Sequence, residues 1–283
     1  MKKIVAVVLL FAMLLALPAA AVSFDKNQTN KESPSALSKT LKSAAVADVT
    51  TDTLLYTNNS FEKIPAHGGI SRLMTAFTIE YQNRQNSVIK AGFSEEKFEN
   101  YMASMLVKGD EEAAKTLAVE VAGSIEDFVS LMNATAEQIG MSNTVFTTPH
   151  GAKDAKAVTT TDDLLLLAYE AYAISEIKSM MSSNIYYSVD KESSYSRDYS
   201  ILNPDHKSYN KMVKFYACGD YGDAGYTSIV GAMNSSGREI IIVTYEAGTY
   251  ATDYRNNYTS DISAIIVMAY GKFYIAELDD IAK

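Results

Sequence analysis

Residues 122–151 read AGSIEDFVSLMNATAEQIGMSNTVFTTPHG, and the reading of this stretch decides the fold. Ser124 stands where a helix N-cap belongs, and Asp127 follows at the capping-box spacing. Phe128, Leu131 and Met132 share one face of the helix so begun, and Gly140 is the residue type that stops it. Upstream, Ala113, Ala114, Leu117, Ala118 and Val121 line another helix. A further helix, capped by the Ser94 hydroxyl, runs to about Val107, and Leu73, Met74, Phe77 and Tyr81 mark the face of one more. Before these, residues 44–56 alternate apolar and polar positions around Thr50-Thr51-Asp52, as a hairpin does.

Downstream, residues 163–179 again carry helical periodicity. The tyrosine-rich segment 185–199 reads as a hairpin or loop. Residues 229–233 and 239–245 read as strands joined by the Asn-Ser-Ser-Gly turn at 234–237, and a last helix covers roughly residues 260–270. Two strands, a run of helices, then strands and a helix predict an α+β domain whose sheet is closed by both chain ends.

Composition sets the class. With 283 residues, 47% hydrophobic and 21% charged, the chain fills one globular domain or a domain with a small appendage. A net charge of −9 argues against nucleic acid as a partner. Lys2 and Lys3, the apolar run Ile4 to Leu17, Pro18 and the small residues Ala19-Ala20-Ala21 predict a signal peptide over residues 1–23; an uncleaved N-terminal anchor is the alternative. No cysteine follows that run, which argues against a lipoprotein anchor, and no later stretch is apolar enough to span a membrane. Residues 24–42 are polar and predict a flexible linker, with the domain over 43–283. Cys218 is the one cysteine, so no internal disulfide is possible. His67, His150 and His206 stand too far apart to read as a metal-ligand motif, and neither metal nor cofactor is expected.

Several segments resemble the penicillin-binding D-alanyl-D-alanine carboxypeptidases. Residues 48–56 are similar to that family's opening hairpin, Leu73-Met74-Thr75-Ala76 to the start of its catalytic helix, and residues 122–144 with Thr148-Pro149-His150-Gly151 to its most specific stretch. Thr159 to Leu164 resembles its Ser-Thr-Ala-x-Asp-Leu helix start. The resemblance runs over nearly all of residues 44–275 and implies a β-lactamase/transpeptidase-like fold: an antiparallel sheet flanked by helices, with a helical subdomain. It also implies acyl transfer by a helix-start serine, a lysine three residues on, Ser-x-Asn from a loop and Lys-Thr/Ser-Gly from a strand.

This chain departs from each motif. Counting back from Leu73 puts Arg72 at the lysine position and Gly69 at the serine position, in a segment longer than the family's Pro-Ala-Ser-x-x-Lys. Glycine has no nucleophile, and arginine stays protonated. Ser71, taken as nucleophile instead, would have Met74 where the lysine belongs. After Met105-Leu106-Val107-Lys108, Gly109 replaces the serine and Glu111 the asparagine, which sets a carboxylate against a substrate that ends in one. The third motif falls with its lysine at Ala217, Cys218 or Asp223; none is a cation, and Lys214 is followed by Phe215-Tyr216. Ser-x-x-Lys recurs seven times, at Ser23, Ser60, Ser87, Ser94, Ser175, Ser188 and Ser208, which shows how little the pattern means alone.

The remaining candidates have ordinary readings. His150 reads as a turn or packing residue, and His67 as solvent-exposed rather than ligand-binding. Cys218 reads as a half-buried thiol, with a reactive thiol served by His206 as the rival reading. Tyr186 to Tyr199 read as hairpin packing, with a sugar-stacking platform as the alternative. The expectation is therefore an exported, secreted or wall-associated homologue without catalysis, whose cleft binds a peptidoglycan stem peptide or a cell-wall protein. An active serine carboxypeptidase using unconventional residues, and a scaffold acting through its surface, are the competing expectations. The chain length also predicts neither the extra β-domain nor the amphipathic tail that many relatives carry.

Overall fold

The computed structural model describes residues 24, 37–86, 94–188, 191–197, 200–222, 225–247 and 254–273. The expected signal peptide, residues 25–36 of the expected linker, Ser23, Ser87 and Asp223 lie outside them.

Strands β1 (Leu41–Asp48) and β2 (Thr53–Asn58) form the expected hairpin. Asp48 closes it: its Oδ1 accepts the Thr50 and Thr51 N–H groups at 2.7 and 3.2 Å, and Asp52 takes a positive φ of 53°. At the other end of the sheet lie β7 (Val213–Asp220), β8 (Tyr226–Met233) and β9 (Glu239–Glu246). The strand order is β2-β1-β9-β8-β7, with every pair antiparallel, so β1 and β9 join the two chain ends, with Ala45 opposite Val243. Two short pairs complete the strands: β3 (Ile64–Pro65) with β4 (Val158–Thr159), and β5 (Ile185–Tyr187) with β6 (Ser194–Ser196).

One sheet face is covered by α1 (Gly69–Asn86), with α2 (Glu95–Ala103), α3 (Glu111–Ala122) and α4 (Ile125–Gln138) packed beyond it, and by α5 (Thr161–Tyr172) and α6 (Ser175–Met181). Their core joins Leu73, Phe77, Phe128 and Leu164 to Ala45, Ile229 and Val243 of the sheet. The opposite face is covered by α7 (Tyr254–Met268), whose Ile262, Ile265 and Ile266 pack on Val46, Val230 and Ile242. Each such aliphatic side chain contributes roughly 2 kcal/mol by leaving water, so both faces are firmly held.

The decisive stretch folds as its residues require. The Ser124 hydroxyl accepts the Asp127 N–H at 3.0 Å and donates to its carboxylate at 2.8 Å, and Phe128 and Met132 are buried. Asn133 then ties α4 to the following loop: its amide donates to the Val129 and Phe146 carbonyls at 2.9 and 2.8 Å, and its oxygen accepts the Phe146 N–H at 2.9 Å. Asp163, buried in the first turn of α5, accepts from Asn143 N–H and the Thr144 hydroxyl at 2.8 and 2.7 Å.

Several boundaries differ from the expectation. The limit between linker and domain falls inside β1, because Leu41 already pairs with Glu246, and Phe24 is buried edge-on against Tyr169. The helix at Ser94 changes at Ser104 into one π-turn, Ser104–Lys108, closed by Gly109 at φ 77°. Residues 163–179 divide into α5 and α6 at Ala173–Ile174. Strand β8 starts at Tyr226, not at 229, and α7 at Tyr254, not near 260. Strand β7 carried no alternation to announce it, because its residues are buried on both faces of the sheet: Phe215 and Ala217 on one, Tyr216 and Cys218 on the other.

Candidate functional site

The site forms where α1, the π-turn and β7 converge. Gly69 is the first residue of α1, and the two residues before it are stapled to the loop after α4. Gly68 donates its N–H to the Gly151 carbonyl at 2.8 Å, with backbones so close that a β-carbon on Gly151 would lie 2.3 Å from the Gly68 nitrogen. His67 is buried, with Nε2 2.6 Å from the Asp154 carbonyl oxygen and its ring edge-on to Tyr221. The expectation of an exposed His67 is thereby corrected: the longer helix entry folds inward and needs a side chain to fill it. From α1, Thr75 donates to the Pro149 carbonyl at 2.8 Å and Arg72 Nη1 to the His150 carbonyl at 2.9 Å.

A cavity of about 230 Å³ opens beside this entry, lined by Gly69, Arg72, Leu106, Val107, Lys108, Gly109, Met181, Ser196, Arg197, Ala217 and Cys218. Five of the six positions singled out in the sequence (Gly69, Arg72, Gly109, Ala217 and Cys218) thus share one wall system. Glu111 does not: it stands exposed in the first turn of α3, one residue past the N-cap Asp110. Asp110 itself faces inward on its own helix, accepting the Glu112 and Ala113 N–H groups and the Ser104 hydroxyl. Those bonds, the Ala113 N–H foremost, hold its carboxyl below the ordinary range.

Backbone geometry disfavours a side chain at both Gly69 and Gly109. A β-carbon on Gly69 would lie 2.1 Å from the Cys218 carbonyl oxygen, because β7 runs directly over the start of α1. At Gly109 the φ of 77° already disfavours any side chain, and a β-carbon there would lie 3.3 Å from Arg72 Nη2. The same Nη2 would be 3.8 Å from a β-carbon on Gly69. The guanidinium therefore occupies the space between two glycines. Neighbouring His150 is half-buried, and burial, with Lys115 and Arg72 acting in the same direction against Glu111, keeps its imidazole below the usual range.

The alternative nucleophiles are placed elsewhere. Ser71 is buried and donates to the Ala66 carbonyl at 2.6 Å. Ser60 is buried in the loop after β2, and Ser94 is spent as the α2 cap. Ser175 donates to Glu176, while its Lys178 is held by Glu239 at 3.0 Å. Ser188 donates within the β5–β6 turn, to the Ser193 carbonyl, and Ser208 borders a separate surface depression with Lys207 and Tyr209. His206 is exposed and accepts the Ser208 N–H, away from the walls around Cys218. Lys214 donates to the Lys211 carbonyl and does not line the cavity. Tyr186 and Tyr195 dock the hairpin on α2 by donating to Glu99 and Asn100, each at 2.7 Å.

Lys108, Ser196 and Arg197 are site residues that sequence reading did not select. Lys108 adjoins Gly109 in the sequence and was within reach of the same reading. Arg197 had no local signal: its guanidinium enters the wall because the Met180 and Tyr216 carbonyls hold it, and those lie on α6 and β7.

Comparison with known proteins places this geometry in context. The family model for D-alanyl-D-alanine carboxypeptidase matches residues 80–249, from the middle of α1 to just past β9. The matched range begins after Gly69 and Arg72. D-alanyl-D-alanine carboxypeptidase DacF of Bacillus subtilis is 26% identical over 252 residues, covering 80% of this chain. The chain spans 60% of that relative's length. Among solved structures, penicillin-binding protein D2 of Listeria monocytogenes in its ampicillin-bound form superposes with a TM-score of 0.66 at 23% identity, over 82% of this chain and 98% of that one. Penicillin-binding protein 6B of Escherichia coli gives a TM-score of 0.66 at 18% identity, over 84% of this chain and 80% of the other. At these identities the structural likeness speaks for the fold.

Proposed function

The chain belongs to the D-alanyl-D-alanine carboxypeptidase family, and on that premise we propose that it is an exported member that binds in the old cleft without hydrolysing. The observation that carries the reading is the 2.1 Å approach of the Cys218 carbonyl oxygen to the β-carbon position of Gly69. A serine cannot be seated at this helix start without moving β7 or α1. The family's chemistry needs that oxygen first, a proton acceptor second and a substrate clamp third. Here Gly69 offers no oxygen, Arg72 no proton acceptance, and Ala217 and Cys218 no cation. Groups that act as one catalytic unit leave only residual rates when a member is lost.

What such a protein retains is a shaped cavity on a rigid sheet edge, suited to holding a cell-wall peptide or a wall protein outside the cytoplasm. The basic, apolar and small-residue order of residues 2–21 supports export. No helix among the described residues is long and apolar enough to cross a membrane.

The rival reading, an active enzyme with displaced residues, has one specific anchor. Among the described residues Ser196 is the one hydroxyl-bearing residue lining the cavity, and Lys108 shares its walls. Intact-mass analysis after incubation with benzylpenicillin, together with assay of D-alanine release from a pentapeptide, separates the readings. The expected result is neither a mass shift nor released D-alanine. One bound penicilloyl group, mapped to Ser196 or to any other residue, overturns the proposal.

A further inference from the structure

Two buried carboxyl groups stand near one another under α7, and neither lines the cleft cavity. Glu246 at the end of β9 and Asp261 on α7 are each 1% exposed, and among the described residues neither forms an ion pair. Hydroxyls from the segment before β1 join them in a row. Asp261 Oδ2 lies 2.5 Å from Ser38 Oγ, Ser38 Oγ 2.6 Å from Thr40 Oγ1, and Thr40 Oγ1 3.0 Å from Glu246 Oε2. Asp261 Oδ1 also accepts the Ser38 N–H at 2.9 Å, whereas Glu246 Oε1 is buried with no hydrogen-bond partner. Around the row, β8 places Tyr226 opposite Glu246, with Tyr258 of α7 against its ring and Tyr216 of β7 2.8 Å from its hydroxyl. Lys39 and Lys42 beside the row are exposed, and Lys42 Nζ donates to the Lys39 carbonyl.

Three oxygen–oxygen contacts need three hydrogens, and the Ser38 and Thr40 hydroxyls supply two. With both carboxyls ionised, Ser38 donates to Asp261 and Thr40 to Glu246. That leaves lone pairs opposed across the 2.6 Å Ser38–Thr40 contact. One proton on Glu246 completes the row: its carboxyl donates to Thr40, Thr40 to Ser38, and Ser38 to Asp261. The unmet Oε1 is then a neutral carbonyl, which costs far less to bury than a charged oxygen. Burial, with Asp261 beside it, raises the Glu246 pKa to about 8, in agreement with that count. We propose that the row is a one-proton clasp, fastening residues 37–40 to α7 and β9 while the proton is held and releasing them when it leaves. An open segment gives both carboxylates to water, so opening and loss of the proton favour each other. The closed form is therefore favoured at low pH and lost as pH rises through about 8. The bond from Ala247 N–H to the Thr40 carbonyl, at 3.0 Å, and the packing of Leu37 on the core under α7 give way with it.

Amide hydrogen exchange of the unmutated protein at pH 6.5 and pH 9, corrected for intrinsic rates, tests the clasp. Protection at Ser38 and Ala247 is expected to fall about tenfold between the two, with a clearly smaller fall at Ile242 and Val243 in mid-strand. Glu246→Gln is expected to keep Ser38 and Ala247 protected to within about threefold across the same range, because its amide hydrogen serves Thr40 at any pH. Unchanged protection at Ser38 and Ala247, an equal fall at Ile242 and Val243, or the same fall in Glu246→Gln each overturns the proposal. The comparison of Ser38 and Ala247 with mid-strand needs no variant, so a variant that fails to fold does not remove the test.

Discussion

The carbonyl oxygen of Cys218 lies 2.1 Å from where a β-carbon on Gly69 would stand. The two residues are 149 positions apart in the sequence, and the approach is made by the edge strand β7 crossing the first turn of α1. Glycine at 69 is thus a packing requirement of this sheet edge. With Arg72 placed between Gly69 and Gly109, the space around the helix start is occupied from both sides.

Restoring the family residues should therefore fail for steric reasons. The double variant Gly69→Ser/Arg72→Lys is expected to form no penicilloyl adduct, because the new side chain must displace backbone before it can face the cavity. Overpacking at such a contact costs about 2 kcal/mol, so the single variant Gly69→Ser should also unfold at lower denaturant. Intact mass with benzylpenicillin and urea unfolding read the two outcomes; a stable, acylated double variant contradicts both.

Asn133 supports the decisive stretch rather than any chemistry. Replacing it by alanine removes three bonds and leaves the Phe146 N–H and carbonyl without their partners. The Asn133→Ala variant should lose about 2–3 kcal/mol of stability. Unfolding by urea measures it, and a change below about 0.5 kcal/mol would show that water replaces the amide at no loss.

Glu246 predicts a pH dependence. It is buried on β9, its Oε2 accepts from Thr40 at 3.0 Å, and burial, reinforced by the Asp261 carboxylate, pushes its pKa up to about 8 from 4.5. The folded state therefore holds a proton that the unfolded state releases near 4.5. The stability tied to that proton is fully present below about pH 4.5 and is lost as pH rises through about 8. Thermal midpoints should fall between pH 5 and pH 8.5, and Glu246→Gln should flatten that slope. An unchanged slope in the variant assigns the dependence to other groups.

Arg238 and Asp48 join the turn ends of β9 and β1, with Nη2 3.2 Å from Oδ2 of a carboxylate that is 1% exposed. Removing the cation takes from that buried carboxylate a charged partner which the Thr50 and Thr51 N–H groups of the turn do not replace. Arg238→Met should destabilise by about 2 kcal/mol, between the values for exposed and buried pairs. Chemical denaturation at neutral pH checks it.

How much was legible divides along physical lines. Local chemistry announced the cap at Ser124, the stop at Gly140, the β1–β2 turn and the β8–β9 turn, because capping and turn geometry are set within a few residues. The pairing of β1 with β9 followed from the order of the elements. The break between α5 and α6 at Ala173–Ile174 left no mark, since neither residue is a helix breaker, and packing chose the bend. His67 looked exposed because its neighbours are glycines, yet those glycines are what let the loop fold inward.

By itself the sequence determined the family and the α+β architecture, each carried by residue types at short spacing. Only the tertiary structure decided what surrounds the start of α1. That answer depends on Cys218 over Gly69, Arg72 between two glycines, and Arg197 held by α6 and β7. These are contacts between residues from 17 to 149 positions apart. Their distances are set by how sheet and helices pack, and no periodicity along the chain records them.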